Sequence, residues 1–161
     1  MSTIKAKDLI PLAILSNIDS GRVEGRTRLQ KLAFLTQKEL QGRLELDDEL
    51  EFIHYKYGPF SQELIETVEM LQERGLLQRR KETNLSGDEK YIYTITRKGR
   101  GAFEYNLENS SDSDDIQAIS ESAEKVINSY NELSLSNLIE TVYDEYPETA
   151  ENSEWDKASL T

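Results

Sequence analysis

The segment from residue 91 to residue 100, YIYTITRKGR, constrains the fold more than any other part of the chain. Residues Tyr91 to Ile95 are all β-branched or aromatic, which favours a strand with one buried face. Thr96 offers a side-chain oxygen to the first free N–H groups of a following helix. The sequence therefore predicts a strand that leads directly into a capped helix.

A second strand is predicted just before this one. Residues 76–81, LLQRRK, have the pattern of a partner strand, and residues 82–90 have the Asn, Ser, Gly and Asp content of a flexible turn. The two strands and the turn together form a predicted β-hairpin. Such a hairpin is either a functional wing or an ordinary hairpin packed on helices, and the segment alone does not separate the two.

Two helices are predicted near the start of the chain, and they are expected to pack together. Asp8 is the expected cap of the first, and Pro11 is tolerated in its opening turn, where a missing N–H has no intrahelical partner anyway. In the second, Thr27 and Gln30 fit a capping box. Apolar residues then recur at helical spacing until Gly42, which marks its end.

The remaining segments before the hairpin are a loop, an extended piece and a third helix. Residues 19–25 are polar and are predicted to form a loop. Residues 43–57 alternate partly between apolar and charged side chains, which indicates a short extended segment. The YGPFS phrase over residues 57–61 predicts a sharp turn, with Ser61 as the cap of a helix that ends near Gly75.

This order of elements is the one expected of a winged-helix domain. We predict an α+β, mostly helical fold: a winged-helix-like domain over residues 1–108 with a two- to three-stranded hairpin wing, followed by C-terminal helices. An acidic linker is expected at 109–115, and a flexible acidic tail at 148–161. The helical pair at 116–147 carries two apolar stripes. It is expected to pack on the first domain or on a second copy, so a homodimer through 116–146 is predicted.

The length and composition bound the class of protein. With 161 residues, the chain can hold one core with an appendage, or two very small units, and is too short for an elaborate multidomain enzyme. It has no cysteine, which excludes disulfides and thiolate metal sites. No apolar run reaches the roughly 20 residues that span a bilayer, and the start lacks the apolar stretch of a secretion signal. We therefore expect a soluble, cytoplasmic protein with no membrane contact.

The net charge of −12 is concentrated in the last third of the chain. Residues 1–100 have a net charge of +1, whereas residues 101–161 have a net charge of −13. This asymmetry favours a near-neutral module with an acidic extension. The extension is expected either to repel DNA or to imitate it, and a salt-loving host is an alternative source of the acidity.

The basic residues of the first hundred positions form a candidate DNA-contacting set. Hairpin cations of a winged helix contact phosphates across the minor groove. The alternative is charge balance with the acidic residues of the same hairpin, Glu82, Asp88 and Glu89. The candidate DNA-contacting residues are Arg26, Arg28, Lys31, Arg79, Arg80, Lys81, Arg97, Lys98 and Arg100.

The third helix is acidic, which argues against base reading through it. Its four glutamates are Glu63, Glu66, Glu69 and Glu73. Carboxylates placed against phosphates weaken binding by like-charge repulsion. The same row, together with the acidic tail, suits a basic partner protein such as a toxin. A solvated helix face is the third interpretation of the row.

No residue pattern in the chain points to catalysis, a cofactor or a metal. The single histidine, His54, lies among aromatic and apolar residues and is expected to be structural or at the surface. The acidic run over residues 47–51 lacks the loop geometry of a calcium site, because consecutive side chains splay apart. We therefore predict a non-enzymatic protein.

Several phrases resemble the SocA-like (Panacea) antitoxin domains and their YwgA-like relatives. They are RLQKLAFL at residues 28–35, YKYGPFS at 55–61, the segment 71–77, and a tail phrase at 138–148. The resemblance spans about residues 26–148. It implies a small non-enzymatic module that neutralises a partner protein, serves as an adaptor or regulates transcription.

Two functions are therefore expected. The first is a transcriptional regulator that contacts double-stranded DNA through a basic wing. The alternative is an antitoxin-like or adaptor module that binds a basic partner protein through its acidic third helix.

Overall fold

The chain has an α+β fold with six α-helices and a small antiparallel sheet in the part that the computed structural model describes, residues 6–43, 49–109 and 113–152. Short 3-10 turns at Ala6–Leu9 and Pro147–Ala150 flank these elements. In chain order the elements are α1 (Ile10–Ser16), β1 (Arg22–Glu24), α2 (Arg26–Gln41), β2 (Ile53–Tyr55), β3 (Gly58–Phe60), α3 (Gln62–Glu73), β4 (Leu77–Thr83), β5 (Glu89–Ile95), α4 (Arg97–Asn109), α5 (Ser113–Tyr130) and α6 (Leu135–Glu145).

The predicted hairpin is confirmed, and we call it the long hairpin. β4 and β5 pair antiparallel from Leu77 opposite Ile95 to Thr83 opposite Glu89. Thr96 accepts a hydrogen bond from the N–H of Gly99 at 2.9 Å, which confirms it as the cap of α4.

The loop predicted over residues 19–25 is wrong at its centre, because β1 pairs with the free edge of β5 and gives the sheet order β1-β5-β4. The branched side chain of Val23 points into the core and is 2% exposed. Its neighbours Arg22 and Glu24 are more exposed, as expected for alternating faces of a strand. A single apolar residue in a polar segment was too short a pattern to indicate a strand.

The predicted caps of the first two helices are also wrong. α1 begins at Ile10 without a side-chain cap, and Asp8 instead accepts a hydrogen bond from the Thr67 hydroxyl of α3 at 3.1 Å. α2 begins after Gly25 without a side-chain cap, and Gln30 is used elsewhere. By contrast, Ser61 caps α3 as predicted, because its hydroxyl accepts the N–H of Leu64 at 3.2 Å.

The late helices pack back on the early ones, which is one of the two arrangements expected for them. α5 packs against α1 and α2, and α6 packs against α2. Ile119 and Ala123 of α5 are buried in the same core as Leu12 and Leu32. The apolar stripes that motivated a homodimer are thus covered within one chain, and the core is continuous across the predicted domain boundary.

The predicted linker and the predicted tail each lie partly outside the described residues. Residues 110–112 and 153–161 lie outside the described residues. Ser113 to Asp115, which were expected to be linker, form the first turn of α5, where Asp114 and Asp115 favour the positive end of the helix dipole. In the described part of the chain, every helix is either too short or too polar to cross a bilayer.

Candidate functional site

Two buried glutamines of α2 hold down the segment that carries β2 and β3. The Gln30 side chain donates to the Ser61 carbonyl at 3.0 Å and accepts from the Ser61 N–H at 2.8 Å. Gln37 makes the same pair of bonds with Leu50, at 2.8 Å and 2.7 Å. β2 and β3 form a hairpin between these two points, which we call the short hairpin. Its two ends are therefore fixed to α2 by side chains.

Lys31 lies beneath the short hairpin. Its side chain is 2% exposed, and burial lowers its pKa from 10.5 to about 8. Gly58 has a φ of 104°, and a Cβ at that position would stand 3.2 Å from Lys31 Nζ. Glycine is needed there both for the left-handed backbone and for the close approach. The hairpin backbone therefore rests directly on the lysine.

A cavity of about 290 Å³ lies between the start of α2 and the short hairpin, and we call it the α2 cavity. Its wall contains three cations, three aromatic side chains and no carboxylate. The lining residues are Arg26, Thr27, Gln30, Lys31, Tyr55, Lys56, Tyr57, Gly58, Pro59 and Phe60.

Two of the predicted DNA-contacting arginines instead bind main-chain carbonyls inside the fold. Arg28 donates to the carbonyls of Asn131 and Leu133, at 3.4 Å and 2.7 Å, in the turn between α5 and α6. Arg100 donates to carbonyls at the end of α1, each at 3.4 Å. These bonds satisfy carbonyls that have no intrahelical partner. Both arginines are therefore part of the internal structure and not of a DNA-contacting surface, and the buried Lys31 is not on such a surface either.

The three predicted DNA-contacting cations of the long hairpin each have an acidic neighbour. Arg80 pairs with Glu82 at 2.8 Å, and Lys81 pairs with Glu89 at 3.1 Å. Arg79 lies 3.9 Å from Glu69 of α3, and its guanidinium stacks 5.1 Å above the Tyr91 ring. The positive charge of this hairpin is therefore largely balanced locally, although Arg80 and Lys81 remain exposed.

The other predicted cations lie at the two helix starts. Lys98 donates to the carbonyl of Arg74 at 3.0 Å, which joins the start of α4 to the end of α3. Arg97 is exposed. Arg26 is also exposed and lies 5.8 Å from the Tyr91 ring. The nine predicted cations thus do not form one surface.

The four glutamates of α3 divide into two groups. Glu66, Glu69 and Glu73 are exposed and recur at helical spacing, so they share one face, which we call the outer face of α3. Glu63 is not part of this face. Its carboxylate pairs with Lys7 at 2.6 Å and accepts a hydrogen bond from the N–H of Glu51 at 3.0 Å. Only three of the four predicted partner-binding residues therefore lie together.

The single histidine is near one carboxylate. His54 Nδ1 lies 3.4 Å from an Oε atom of Glu151, and the His54 carbonyl accepts from Asn152 at 3.1 Å. These contacts attach the end of the described chain to β2. Of the acidic run at 47–51, residues 47 and 48 lie outside the described residues. Across residues 6–43, 49–109 and 113–152, no three acidic or histidine side chains are close enough to hold a metal ion.

The sequence did not lead us to the α2 cavity or to the bonds that Gln30 and Gln37 make beside it. Gln30 and Gln37 are seven residues apart on the apolar face of α2, and Lys31 adjoins them. Polar residues on a face that is otherwise apolar are the signal by which the sequence could have revealed this site. The interpretation of Gln30 as part of a capping box concealed it.

Comparisons with known proteins give no family for this chain: no family model matches it, and no curated protein matches it.

Proposed function

We propose that this protein is a non-enzymatic regulatory module with a winged-helix-like arrangement, which acts in the cytoplasm by binding a basic partner protein through the outer face of α3. The order α1, β1, α2, α3, β4, β5 and the sheet order β1-β5-β4 support this arrangement. In it, α3 takes the place of the helix that reads bases in DNA-binding proteins of the helix-turn-helix type.

The observation that carries the proposal is the charge of that helix. Glu66, Glu69 and Glu73 present three carboxylates on one exposed face, and Arg79, at 3.9 Å from Glu69, is the cation paired with them among the described residues. A face of this charge is repelled by phosphates and attracts lysines and arginines of a protein. A module that binds a basic protein through this acidic face would act as an antitoxin-like protein or as an adaptor.

The test is a charge reversal on the outer face. The protein is co-expressed with the products of its neighbouring genes, and any complex is measured by calorimetry with wild type and with the double variant Glu66→Lys, Glu69→Lys. Like charges across an interface should weaken the complex at least about tenfold. Glu124→Lys, on the exposed side of α5, is the matched control and should leave the affinity unchanged. Equal affinity of the outer-face variant and wild type would remove the proposal.

Double-stranded DNA is the second candidate partner, and the exposed part of the long hairpin favours it. The side chains of Arg80 and Lys81 are 50% and 48% exposed. Ion pairs at such exposed positions are weak, so phosphates can replace Glu82 and Glu89 as partners. Arg97, exposed at the start of α4, adds a third cation to the same candidate set.

Binding to a DNA duplex, measured by fluorescence anisotropy over a series of salt concentrations, tests this candidate. Affinity should fall as salt rises, and Arg80→Ala with Lys81→Ala should reduce both the affinity and its salt dependence. Lys125→Ala, which removes an exposed lysine of α5, should have no effect. Absence of binding at low salt would eliminate DNA as a partner.

A further inference from the structure

The α2 cavity is positively charged in a protein that is otherwise strongly acidic. The chain has a net charge of −12, yet the cavity wall holds Arg26, Lys31 and Lys56 and no carboxylate. Such a concentration of one sign of charge in a concave site raises the local concentration of oppositely charged molecules. The cavity therefore selects anions.

Lys31 is the residue that most needs an anion. Burying an ammonium group is costly unless it is paired. No carboxylate within the described residues forms an ion pair with Lys31, and burial is the cause of its lowered pKa. Hydrophobic residues of the same length would avoid this cost, so a purely structural role does not account for a lysine here. A ligand that supplies negative charge does account for it.

Two further features of the wall restrict the chemical class of ligand that the cavity would bind. α2 begins at Arg26 and has no side-chain cap, so N–H groups of its first turn are left without an intrahelical partner beside the cavity. Uncapped helix starts of this kind favour phosphate. Tyr55, Tyr57 and Phe60 add aromatic surface, which suits a flat organic group.

We propose that the α2 cavity binds a small organic phosphomonoester, with its phosphate group against Lys31 and its organic part against the aromatic wall. The charges of Arg26 and Lys31, together with the N–H groups at the start of α2, favour a doubly charged phosphate over a singly charged carboxylate. The site is made by α2 and the short hairpin and uses none of the outer-face glutamates, so it extends beyond the partner-binding proposed above and does not depend on it.

The test is to titrate the full chain with each of three small molecules and to monitor the backbone amide signals by NMR. Phenyl phosphate carries both expected groups, inorganic phosphate carries the anion alone, and benzoate carries the ring with a single negative charge. Phenyl phosphate should bind with a Kd below about 1 mM and should shift the amide signals of Thr27, Lys31 and Gly58. Inorganic phosphate and benzoate should shift the same signals more weakly.

Variants then test the role of the lysine. Lys31→Met should weaken phenyl phosphate binding about ten- to a hundredfold, because a hydrogen bond to a charged group is lost. Lys125→Met, at an exposed lysine outside the cavity, should bind as wild type does. The wild-type titration alone keeps the proposal testable if the Lys31 variant does not fold.

Three results would overturn the proposal. The first is absence of saturable shifts with either phosphate probe. The second is benzoate binding as tightly as phenyl phosphate, which would assign the cavity to carboxylates. The third is equal loss of binding in the Lys31 and Lys125 variants. None of these depends on whether a partner protein binds α3, so the two proposals fail separately.

Discussion

The two hairpins of this protein are held in place by different means. The long hairpin is maintained by its own backbone ladder over seven residues of each strand, and β1 adds a third strand along the half of β5 next to its base. The short hairpin has three residues in each strand, too few to be stable alone. Gln30 and Gln37 of α2 supply the missing support. The long hairpin depends on backbone pairing between strands, whereas the short hairpin depends on side chains of a helix.

This difference determines where each hairpin is vulnerable to substitution. Substitutions should destabilise the long hairpin mainly near its base, where β1 pairs with β5 and the backbone of α4 lies against Leu76, just before β4. Substitutions in α2 should destabilise the short hairpin, although α2 contributes no strand to it.

Gly99→Ala should be the most damaging single change. A Cβ at Gly99 would lie 1.9 Å from the carbonyl oxygen of Leu76, which is backbone and has little freedom to move. We expect the free energy of unfolding to fall by about 3 kcal/mol or more, measured by urea denaturation. Gly101→Ala is the matched control on the same helix, since nothing lies within 4 Å of its Cβ position. It should stabilise the protein by up to about 1 kcal/mol, and equal effects of the two variants would refute the prediction.

Gln30→Ala should release the short hairpin. The change removes both hydrogen bonds to Ser61 and leaves a buried N–H and a buried carbonyl without partners. The expected loss is about 2 to 4 kcal/mol. Hydrogen exchange should show faster opening of the amides of residues 53–61 while β4 and β5 stay protected. Gln41→Ala, at an exposed position at the end of α2, should change neither the free energy of unfolding nor the exchange rates. Equal loss of protection in both hairpins would show that Gln30 does not act on the short hairpin in particular.

Lys31 should make the stability depend on pH in the alkaline range. Its pKa is about 8 in the folded protein and 10.5 in the ordinary exposed state, so between these values the unfolded chain binds more protons than the folded chain. The free energy of unfolding should therefore rise as pH increases from about 8 to 10.5, by on the order of 2 to 3 kcal/mol. Below pH 8 both states are protonated, and the full cost of burial is present.

Lys31→Met is the control for this pH effect. Other titratable or charged side chains near Lys31 remain in the variant: those of the cavity wall, Arg26, Tyr55, Lys56 and Tyr57, and that of Tyr143 beside Gly58. Subtracting the two stability profiles therefore isolates the lysine. The variant should also be the more stable protein at pH 7. Identical profiles for the two proteins would show that Lys31 is not buried as described.

Arg80→Ala should have the smallest effect on stability. Arg80 and Glu82 are both close to half exposed and lie on the same strand, so the pair contributes little to folding. We expect the free energy of unfolding to change by no more than about 0.5 kcal/mol. A larger loss, measured by urea denaturation, would show that side-chain pairing as well as the backbone ladder holds the long hairpin.

The same contrast explains which parts of the fold were accessible from sequence. The long hairpin and the caps Ser61 and Thr96 follow from residues close together in the chain, and all were predicted. The short hairpin was anticipated only as an extended piece and a turn, because Gln30 and Gln37 act on it from α2. The candidate site was the least predictable part. Cations that appear equivalent in the sequence are buried in one case (Lys31), bound to carbonyls in another (Arg28) and exposed in a third (Arg80).

The bonds from Arg28 to the carbonyls of Asn131 and Leu133 have a consequence for biosynthesis. They join α2 to positions 103 and 105 residues later in the chain. A nascent polypeptide must therefore expose most of its length beyond the ribosome before α2 can acquire its native surroundings. For the same reason, the first hundred residues should not fold as an independent unit in a fusion protein. Without α5 and α6, the apolar sides of α1 and α2 would be exposed to solvent and would promote aggregation.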